Sequence, residues 1–381
     1  MAMAGESDTA APSRAVRRGG LVPEAPRLSV CILVLDNAVL AVACLDALRR
    51  PGACPPGTEF VVVANGTPSE QREALVAHDD VVLVVNEVNL GFAAGCNQAV
   101  SVARAPLLVF LNDDSTVEDG CIDALVAAVA ADPAIGAVGA RILSGDGSLQ
   151  EAGSVIWRDG STTHVGEGLA PGSAAYDEPR DVDYASANGL LVTRRAWDAV
   201  GGFDERFYPA YFEDVDLCLA LVACGFRVRY EPAARVVHLG SQSTTGVYRV
   251  FLLTRNQRLL VEKWDGVLDR FEVPHTKDSG AKLEAAVRRA VSRAAARHPL
   301  VDAGAGSGSP SASGASPVAA DPLGAADALA VEYHAYLEQR VAAGDSRVTM
   351  LETYLRGLWG VRLRRWIGGA VARRRTGGAS G

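Results

Sequence analysis

The chain has 381 residues, 49% of them hydrophobic, and its 37 lysines and arginines against 45 aspartates and glutamates give a formal net charge of -8. That length and apolar share allow two domains, or one large domain with appendages, while the acidic balance excludes nucleic acid as an expected partner. No apolar run approaches the ~18 residues that a membrane span needs, and the N-terminus lacks the apolar stretch of a signal peptide, so a soluble, cytoplasmic protein is expected.

Residues 1 to about 26 are small, polar and proline-containing, and read as a disordered tail. Leu28 to Leu35 is a nearly unbroken apolar run, the pattern of a strand buried on both faces of a parallel sheet, and it ends at Asp36 and Asn37. Leu40, Cys44, Leu45 and Leu48 then mark one face of a helix. Phe60 to Val63 is a second strand that ends at Asn65-Gly66. Thr67-Pro68-Ser69-Glu70 after it reads as a capping box with proline at the first helical position. Val81 to Val85 is the third strand, and Asn86 to Asn97 makes its turn into a third helix. Leu107 to Leu111 is the fourth, stopping at Asn112-Asp113-Asp114, with Ser115 and Glu118 expected to cap the next helix.

This strand-helix rhythm predicts an α/β fold: a Rossmann-like, mostly parallel sheet with helices on both faces. Asp36, Asn65, Asn89 and Asp113-Asp114 all follow the carboxyl ends of strands, the edge at which open α/β sheets bind ligands. Ala137 to Leu149 reads as a strand entering a turn with Asp146-Gly147 at its tip, and 150 to 180 as loop around short strands. Leu190 to Thr193 is another strand.

The stretch from Gly201 to Gly240 carries the strongest site signal. Leu217, Ala220, Leu221 and Cys224 recur at helical spacing before a capping Gly225, which puts Glu213, Asp214 and Asp216 in the first turn of a short helix. The positive end of the helix dipole favours ionised carboxylates there, so at least one is expected to accept a proton near neutral pH. Phe226, Val228 and Tyr230 alternate with Arg227 and Arg229 as a half-buried strand, and a second short strand, Arg235 to Val237, delivers His238.

Tyr248 to Trp264 and 280 to 297 read as helices, and 301 to 322 as a flexible linker by composition. The segment from 323 to about 375 reads as helical, with Leu355, Trp359, Leu363, Trp366 and Ala370 on one side among arginines. Such a basic amphipathic helix can lie on an anionic membrane surface, giving peripheral contact at the inner membrane face, or can pack on its own core or a partner. The seven cysteines (Cys31, Cys44, Cys54, Cys96, Cys121, Cys218 and Cys224) are odd in number with no metal-ligand spacing, and predict free thiols, mostly buried.

Five segments in register resemble the inverting GT-A glycosyltransferases of family 2, in particular their rhamnosyltransferase-like members. They are VVVANGT (61 to 67), NLGFAAGCNQA (89 to 99), LLVFLNDDS (107 to 115), GARILSGDGSLQEAG (139 to 153) and the stretch from Gly201 to Ser243. The resemblance implies a GT-A domain over 27–265, followed by a helical extension to 300, the linker, and the C-terminal segment from 323 to 381. Asn112-Asp113-Asp114 stands at the family's DxD motif, where Asp114 would help hold Mg²⁺ or Mn²⁺ on the donor diphosphate, with Asp113 beside the nucleotide sugar. The same aspartates could instead cap a helix. His238 stands where some members supply a further metal ligand; a lone histidine there can equally be structural. Asp214 matches the catalytic base that deprotonates the acceptor hydroxyl, with Glu213 the neighbouring candidate and Asp216 a helix cap. Asn65, Gly66, Asn89, Gly91, Gly95 and Asn97 resemble the nucleotide-binding loop, whose glycines let the backbone approach a ligand.

The implied activity is transfer of a sugar from a nucleoside diphosphate sugar to a hydroxyl of a glycan or lipid-linked acceptor, in cell-envelope or polysaccharide synthesis. Ala64 stands where the family usually carries an acid that contacts the base, and Asp36 is the candidate substitute. Ser186-Ala187-Asn188-Gly189 replaces the usual Ser-Gly, and Asn112 the first acid of DxD. Two rival readings are a catalytically impaired relative that only binds nucleotide or glycan, and a sugar nucleotidyltransferase. The second is disfavoured, because Asp36-Asn37-Ala38-Val39 after the first strand has no glycine or basic residue.

Overall fold

Apolar runs that alternate with amphipathic stretches build one sheet with helices on both sides. The computed structural model describes residues 14–170, 172, 176–240, 246–274, 280–296 and 321–343. In chain order the strands and helices of the first half are β1 (Arg14–Arg18), β2 (Leu28–Val34), α1 (Ala38–Leu48), β3 (Thr58–Asn65), α2 (Ser69–Val76), β4 (Val81–Asn86), α3 (Phe92–Val102), β5 (Leu107–Asn112), β6 (Ser115–Val117) and α4 (Cys121–Ala131). The second half holds β7 (Ile135–Ser144), β8 (Leu149–Glu151), β9 (Ser154–Ile156), β10 (Thr162–His164), β11 (Arg180–Asp181), β12 (Leu190–Thr193), α5 (Arg194–Val200), α6 (Glu213–Ala223) and β13 (Arg227–His238). Three helices follow, α7 (Gly246–Lys263), α8 (Gly280–Ala296) and α9 (Pro322–Ala342).

The main sheet runs β1-β4-β3-β2-β5-β12-β7-β13-β11, with β6 paired to β13 and β8 to β7. Strands β4, β3, β2 and β5 are parallel, as are β7 and β13, but β12 lies antiparallel between β5 and β7. The sheet is therefore mixed and largely parallel. Chain order reverses at β2, which has β3 on one side and β5 on the other, and this reversal opens a crevice at their carboxyl ends. Both faces are covered: Val61 and Val63 enter one core with Phe110, Trp197 and Leu217, while Val62 and Ala64 enter the other with Ile32, Leu45 and Leu125.

Several expectations are corrected. Residues 14–18 are a strand, not part of a tail, and pair antiparallel with β4. Composition misses it because β1 is held by main-chain bonds and by Arg17, whose guanidinium bonds Asp79 at 2.6 Å and the Val76 carbonyl at 2.7 Å. Thr67 does not cap α2; its buried hydroxyl donates to the Val34 carbonyl at 2.8 Å, and Pro68 stands at the N-cap. Ser115 lies in β6 and Glu118 just after it, so neither caps α4, which starts after left-handed Gly120. The two strands expected between Phe226 and Val237 are one, β13, with a register shift between Glu231 and Arg235.

Beyond the sheet, α8 lies near β11, with Arg293 3.3 Å from Asp183 and its guanidinium over the Phe271 ring. Helix α9 packs on α7 through Leu329, Tyr333 and Leu337 against Phe251 and Leu252. Among the described residues no helix is long and apolar enough to cross a membrane. The basic helix expected around Leu355 to Ala370, and the linker up to residue 320, lie outside the described residues.

Candidate active site

At the end of β3 the chain must turn back across the sheet edge, and Asn65 organises that turn. Its amide nitrogen donates to Asn89 Oδ1 at 3.0 Å and to the Gly91 carbonyl at 3.1 Å, and its oxygen accepts from Asn86 Nδ2 at 3.1 Å and from the Leu90 N–H at 3.0 Å. Those four bonds fill an asparagine's capacity. Asn89 Oδ1 also accepts from the Gly91 N–H at 2.8 Å. Gly66 has φ +78, and a Cβ there would lie 2.6 Å from the Asn89 nitrogen; Gly91 has φ +82, and a Cβ would lie 2.8 Å from the Tyr208 ring. Gly95 packs against Leu33 in the same way.

Asn97 turns toward the Gly202–Glu205 segment, donating to the Phe203 carbonyl at 2.9 Å and to Glu205 Oε1 at 2.9 Å. The loop expected to grip nucleotide is thus built on internal bonds. Asn65 and Asn97 close their bonds within the protein, and at Gly66, Gly91 and Gly95 a Cβ would meet a neighbouring segment of the chain. Ala64 is fully buried and presents nothing to a ligand, whereas Asp36 stays exposed at the end of β2.

One corner of the crevice is acidic. Asp113 is half-buried and Asp114 buried, between β5 and β6. Burial, then the carboxylates of Asp114 and Asp36, push the Asp113 carboxyl up to about 7. Strand β13 pairs with β6 so that His238 falls opposite Ser115, which brings its Nε2 to 3.1 Å from Asp114 Oδ1. His238 Nδ1 lies 3.1 Å from Gln150 Oε1, which orients the ring, and Asn112 Nδ2 lies 3.4 Å from its Nε2.

Ligands about 2.1 Å from an octahedral cation sit about 3 Å apart along an edge, so this oxygen-nitrogen pair fits one edge of a Mg²⁺ or Mn²⁺ shell. Among the described residues no group of three or more His, Cys, Asp or Glu could hold a metal. Asp114 and His238 therefore fit a site that phosphate and water would complete.

The second corner is the mouth of α6. Tyr211 and Phe212 enter it with φ 79 and 75, a left-handed pair that non-glycine residues adopt only when the surroundings impose it. At the far end Gly225 (φ +83) donates to the Val222 carbonyl at 2.9 Å and Phe226 to Leu221 at 3.0 Å, the closing bonds of a Schellman turn. The three mouth carboxylates have different fates.

Asp214 is half-exposed, with Oδ1 accepting from the Val215 N–H at 2.8 Å and Oδ2 from the Ala187 N–H at 3.3 Å. Burial and then the Glu151 carboxylate push it up to about 6, against those two amides and His164. Glu213 is buried, and its Oε2 has no hydrogen-bond partner. Burial and Asp214 push its carboxyl well above the ordinary range, so it holds its proton at neutral pH and is unsuited as a base. Asp216 does not cap the helix: its oxygens accept from Lys263 Nζ at 2.8 Å and Trp264 Nε1 at 2.9 Å, and Lys263 also bridges to Asp204 at 2.8 Å.

The turn Ser186-Ala187-Asn188-Gly189 joins the two corners. Asn188 Oδ1 accepts from the Asn112 N–H at 3.2 Å and from the Ser115 hydroxyl at 2.9 Å, while the preceding Ala187 N–H holds Asp214. Sequence reasoning noticed this turn as a departure but not its bonding, and it missed Glu151, His164 and Lys263 as members of the site. The LQEAG segment around Glu151 was the one available signal; nothing in the spacing of His164 or Lys263 marks them.

Residues 29–165 match the model of glycosyl transferase family 2. Over 213 residues the chain is 30% identical to the pre-mycofactocin glycosyltransferase of Mycobacterium tuberculosis, which covers 55% of this chain and 42% of that protein. Over 203 residues it is 32% identical to the N-acetylglucosaminyl-diphospho-decaprenol L-rhamnosyltransferase of the same organism, covering 47% of this chain and 64% of that protein. The chain thus spans less than two thirds of either relative. The crystal structure of GalNAc-T7 with UDP, GalNAc and Mn²⁺ superposes with a TM-score of 0.51 at 16% identity, covering 65% of this chain and 49% of that one, a likeness of fold. Residues 29–165 thus carry the match to glycosyl transferase family 2, on a mixed, largely parallel sheet that has the GT-A fold.

Proposed function

We propose that this protein is an inverting, divalent-metal-dependent glycosyltransferase that moves a sugar from a nucleoside diphosphate sugar to a hydroxyl of a glycan acceptor, lipid-linked, in cell-envelope synthesis. The observation that carries the reading is the Ala187-Asn188 dipeptide, bonded on one side to Asp214 and on the other to the Asn112–Ser115 corner. A proton acceptor and an acidic strand end are thereby held by adjacent residues.

In the reaction, Asp214 takes the proton of the acceptor hydroxyl as its oxygen bonds to the anomeric carbon from the face opposite the diphosphate. The bond from that carbon to the diphosphate oxygen breaks, and the nucleoside diphosphate leaves with the electron pair. A positioned base contributes about 10²–10⁴ in rate. Asp114 and His238 would hold the cation, which when bound neutralises charge on the leaving diphosphate. The left-handed entry and Schellman exit of α6 fix the direction in which Asp214 points. The relatives' names supply the acceptor class: one acts on a diphospho-decaprenol-linked sugar.

The test is thermal unfolding against UDP, dTDP and GDP sugars, each with Mn²⁺, Mg²⁺ or chelator, followed by assay of transfer. A donor at ~100 times its dissociation constant stabilises the fold by ~2.7 kcal/mol, and the shift is expected to need the cation. Asp214→Asn is expected to lose at least about 10²-fold in turnover and to keep the cation-dependent shift. An active Asp214→Asn would sink the base assignment. Absence of any shift, with the core of β3 closed by Ala64, would favour a catalytically impaired relative.

A further inference from the structure

We propose that His164, acting through Glu151, is a positioning residue for Asp214: it holds the turn on which Asp214 is fixed and offsets the second buried carboxylate beside it. The proposal rests on the transferase reading for its kinetic readout alone. Glu151 on β8 is 1% exposed, and its Oε1 accepts from the Ser186 N–H at 3.1 Å while its Oε2 accepts from the Ser186 hydroxyl. The next amide, Ala187, donates to Asp214 Oδ2. Two carboxylates from different elements therefore grip successive peptides of one turn. Left to themselves, two like charges so arranged, one buried and one half-exposed, would repel, and one would take a proton.

His164 supplies the missing cation. Strand β10 pairs with β9 so that His164 falls opposite Ser154, and its Nδ1 lies 3.2 Å from Glu151 Oε2 and 2.9 Å from the Ser154 hydroxyl. Burial alone would lower the imidazole, but the Glu151 carboxylate outweighs it and the ring is pushed up to about 9. Burial would likewise raise Glu151, yet His164 and Ser186 hold it below its ordinary value. Both are ionised at neutral pH.

The other groups facing this pair and Asp214 are Tyr184 and Glu167, with Glu213 and Cys218 on α6 itself. Burial keeps Tyr184, Glu213 and Cys218 protonated, and Glu167 is exposed. The local balance is thus one imidazolium against Glu151 and Asp214. Neutralising His164 leaves Glu151 acting on Asp214 without an opposing charge.

The experiment follows the carboxyl carbon-13 resonance of Asp214, assigned by its loss in Asp214→Asn, through a pH titration of the full chain. His164→Gln keeps a hydrogen-bonding side chain without charge, and His164→Arg keeps the charge. The Asp214 midpoint is expected to rise by about one pH unit in His164→Gln and to stay near the native value in His164→Arg. The acid limb of kcat/KM for the acceptor should follow, with the donor-dependent melting shift unchanged. An unmoved midpoint in His164→Gln, or an equal rise in His164→Arg, overturns the proposal. If His164→Gln does not fold, Glu151→Gln provides the converse: its midpoint should fall, and an unmoved one overturns the proposal. Midpoints that move as expected in a protein that transfers no sugar would uphold the positioning role and overturn the transferase reading.

Discussion

Glu213 and Asp214 are neighbours in one helical turn, and their chemistry is separated by where each side chain ends. Asp214 opens on the crevice and keeps two amide donors; Glu213 turns into the core and leaves Oε2 without a partner. Removing a carboxylate's charge is the cheapest response to burial without donors, so Glu213 stays protonated while Asp214 titrates near 6. A base works in its ionised form, which exists above its pKa. We therefore expect kcat/KM for the acceptor to rise with pH through about 6 and to level off above it. Glu213→Gln should leave that limb in place, since it replaces a group already neutral. A limb that moves by a full unit in Glu213→Gln would show that Glu213 carries charge during turnover.

At the scale of elements, α6 is tied to α7 by a buried lysine between two aspartates. Lys263 and Asp216 have side chains 4% and 3% exposed, and Asp204 8%, so none of the three charges is hydrated well enough to stand alone. The lysine does not serve both partners equally. Burial would raise both carboxyls; Arg206 and Lys263 together hold Asp204 down at about 2, while at Asp216 burial prevails and the carboxyl is raised. For Asp204 the resulting stability is present at neutral pH and lost as pH falls from about 4 toward 2, because over that range the unfolded chain takes up the proton while the folded state still resists it. Lys263→Met leaves buried Asp216 without its cation and Asp204 with Arg206 alone, and a loss of about 3–5 kcal/mol is expected in urea denaturation. A loss under about 1 kcal/mol would mean that water reaches the pair.

For the whole molecule, the residues after β13 act as a brace behind the site. Asn256 of α7 is fully buried and donates to the carbonyls of Phe207 at 3.1 Å, Ala210 at 2.9 Å and Tyr211 at 2.9 Å, the segment that leads into α6. Helix α9 backs α7 in turn. Tyr333 stands 4.9 Å ring to ring from Tyr248 and 5.1 Å from Phe251, and Arg255 pairs with Glu332 at 2.8 Å. Apolar burial of this kind, not the half-exposed ion pair, is the larger stabilising effect. Tyr333→Ala should cost about 3 kcal/mol in denaturant unfolding, with the donor-dependent melting shift retained. If the cost is negligible, α9 is an appendage and not a brace.

Much of the fold was legible in the residue order. Runs such as Val61-Val62-Val63-Ala64, apolar at every position, can be satisfied only by burial on both faces, which requires a sheet covered on two sides. The carboxylates at strand ends and at the mouth of α6 were legible for a related reason: each is set by signals within a few residues of it. Strand β1 was not, because main-chain pairing leaves no side-chain pattern. Nor was the direction of β12, since an apolar strand reads the same in either orientation.

Only the tertiary structure decided which polar groups stay open to a substrate and which close among themselves. Asn65 and Asn97 sit at the expected positions and are closed; Glu213 and Asp214 are adjacent and opposite; His238 meets Asp114 through strand register across more than a hundred residues. A hydrogen bond is completed by whatever partner packing brings within about 3 Å, and that partner is set by the assembled sheet, not by neighbours in the chain.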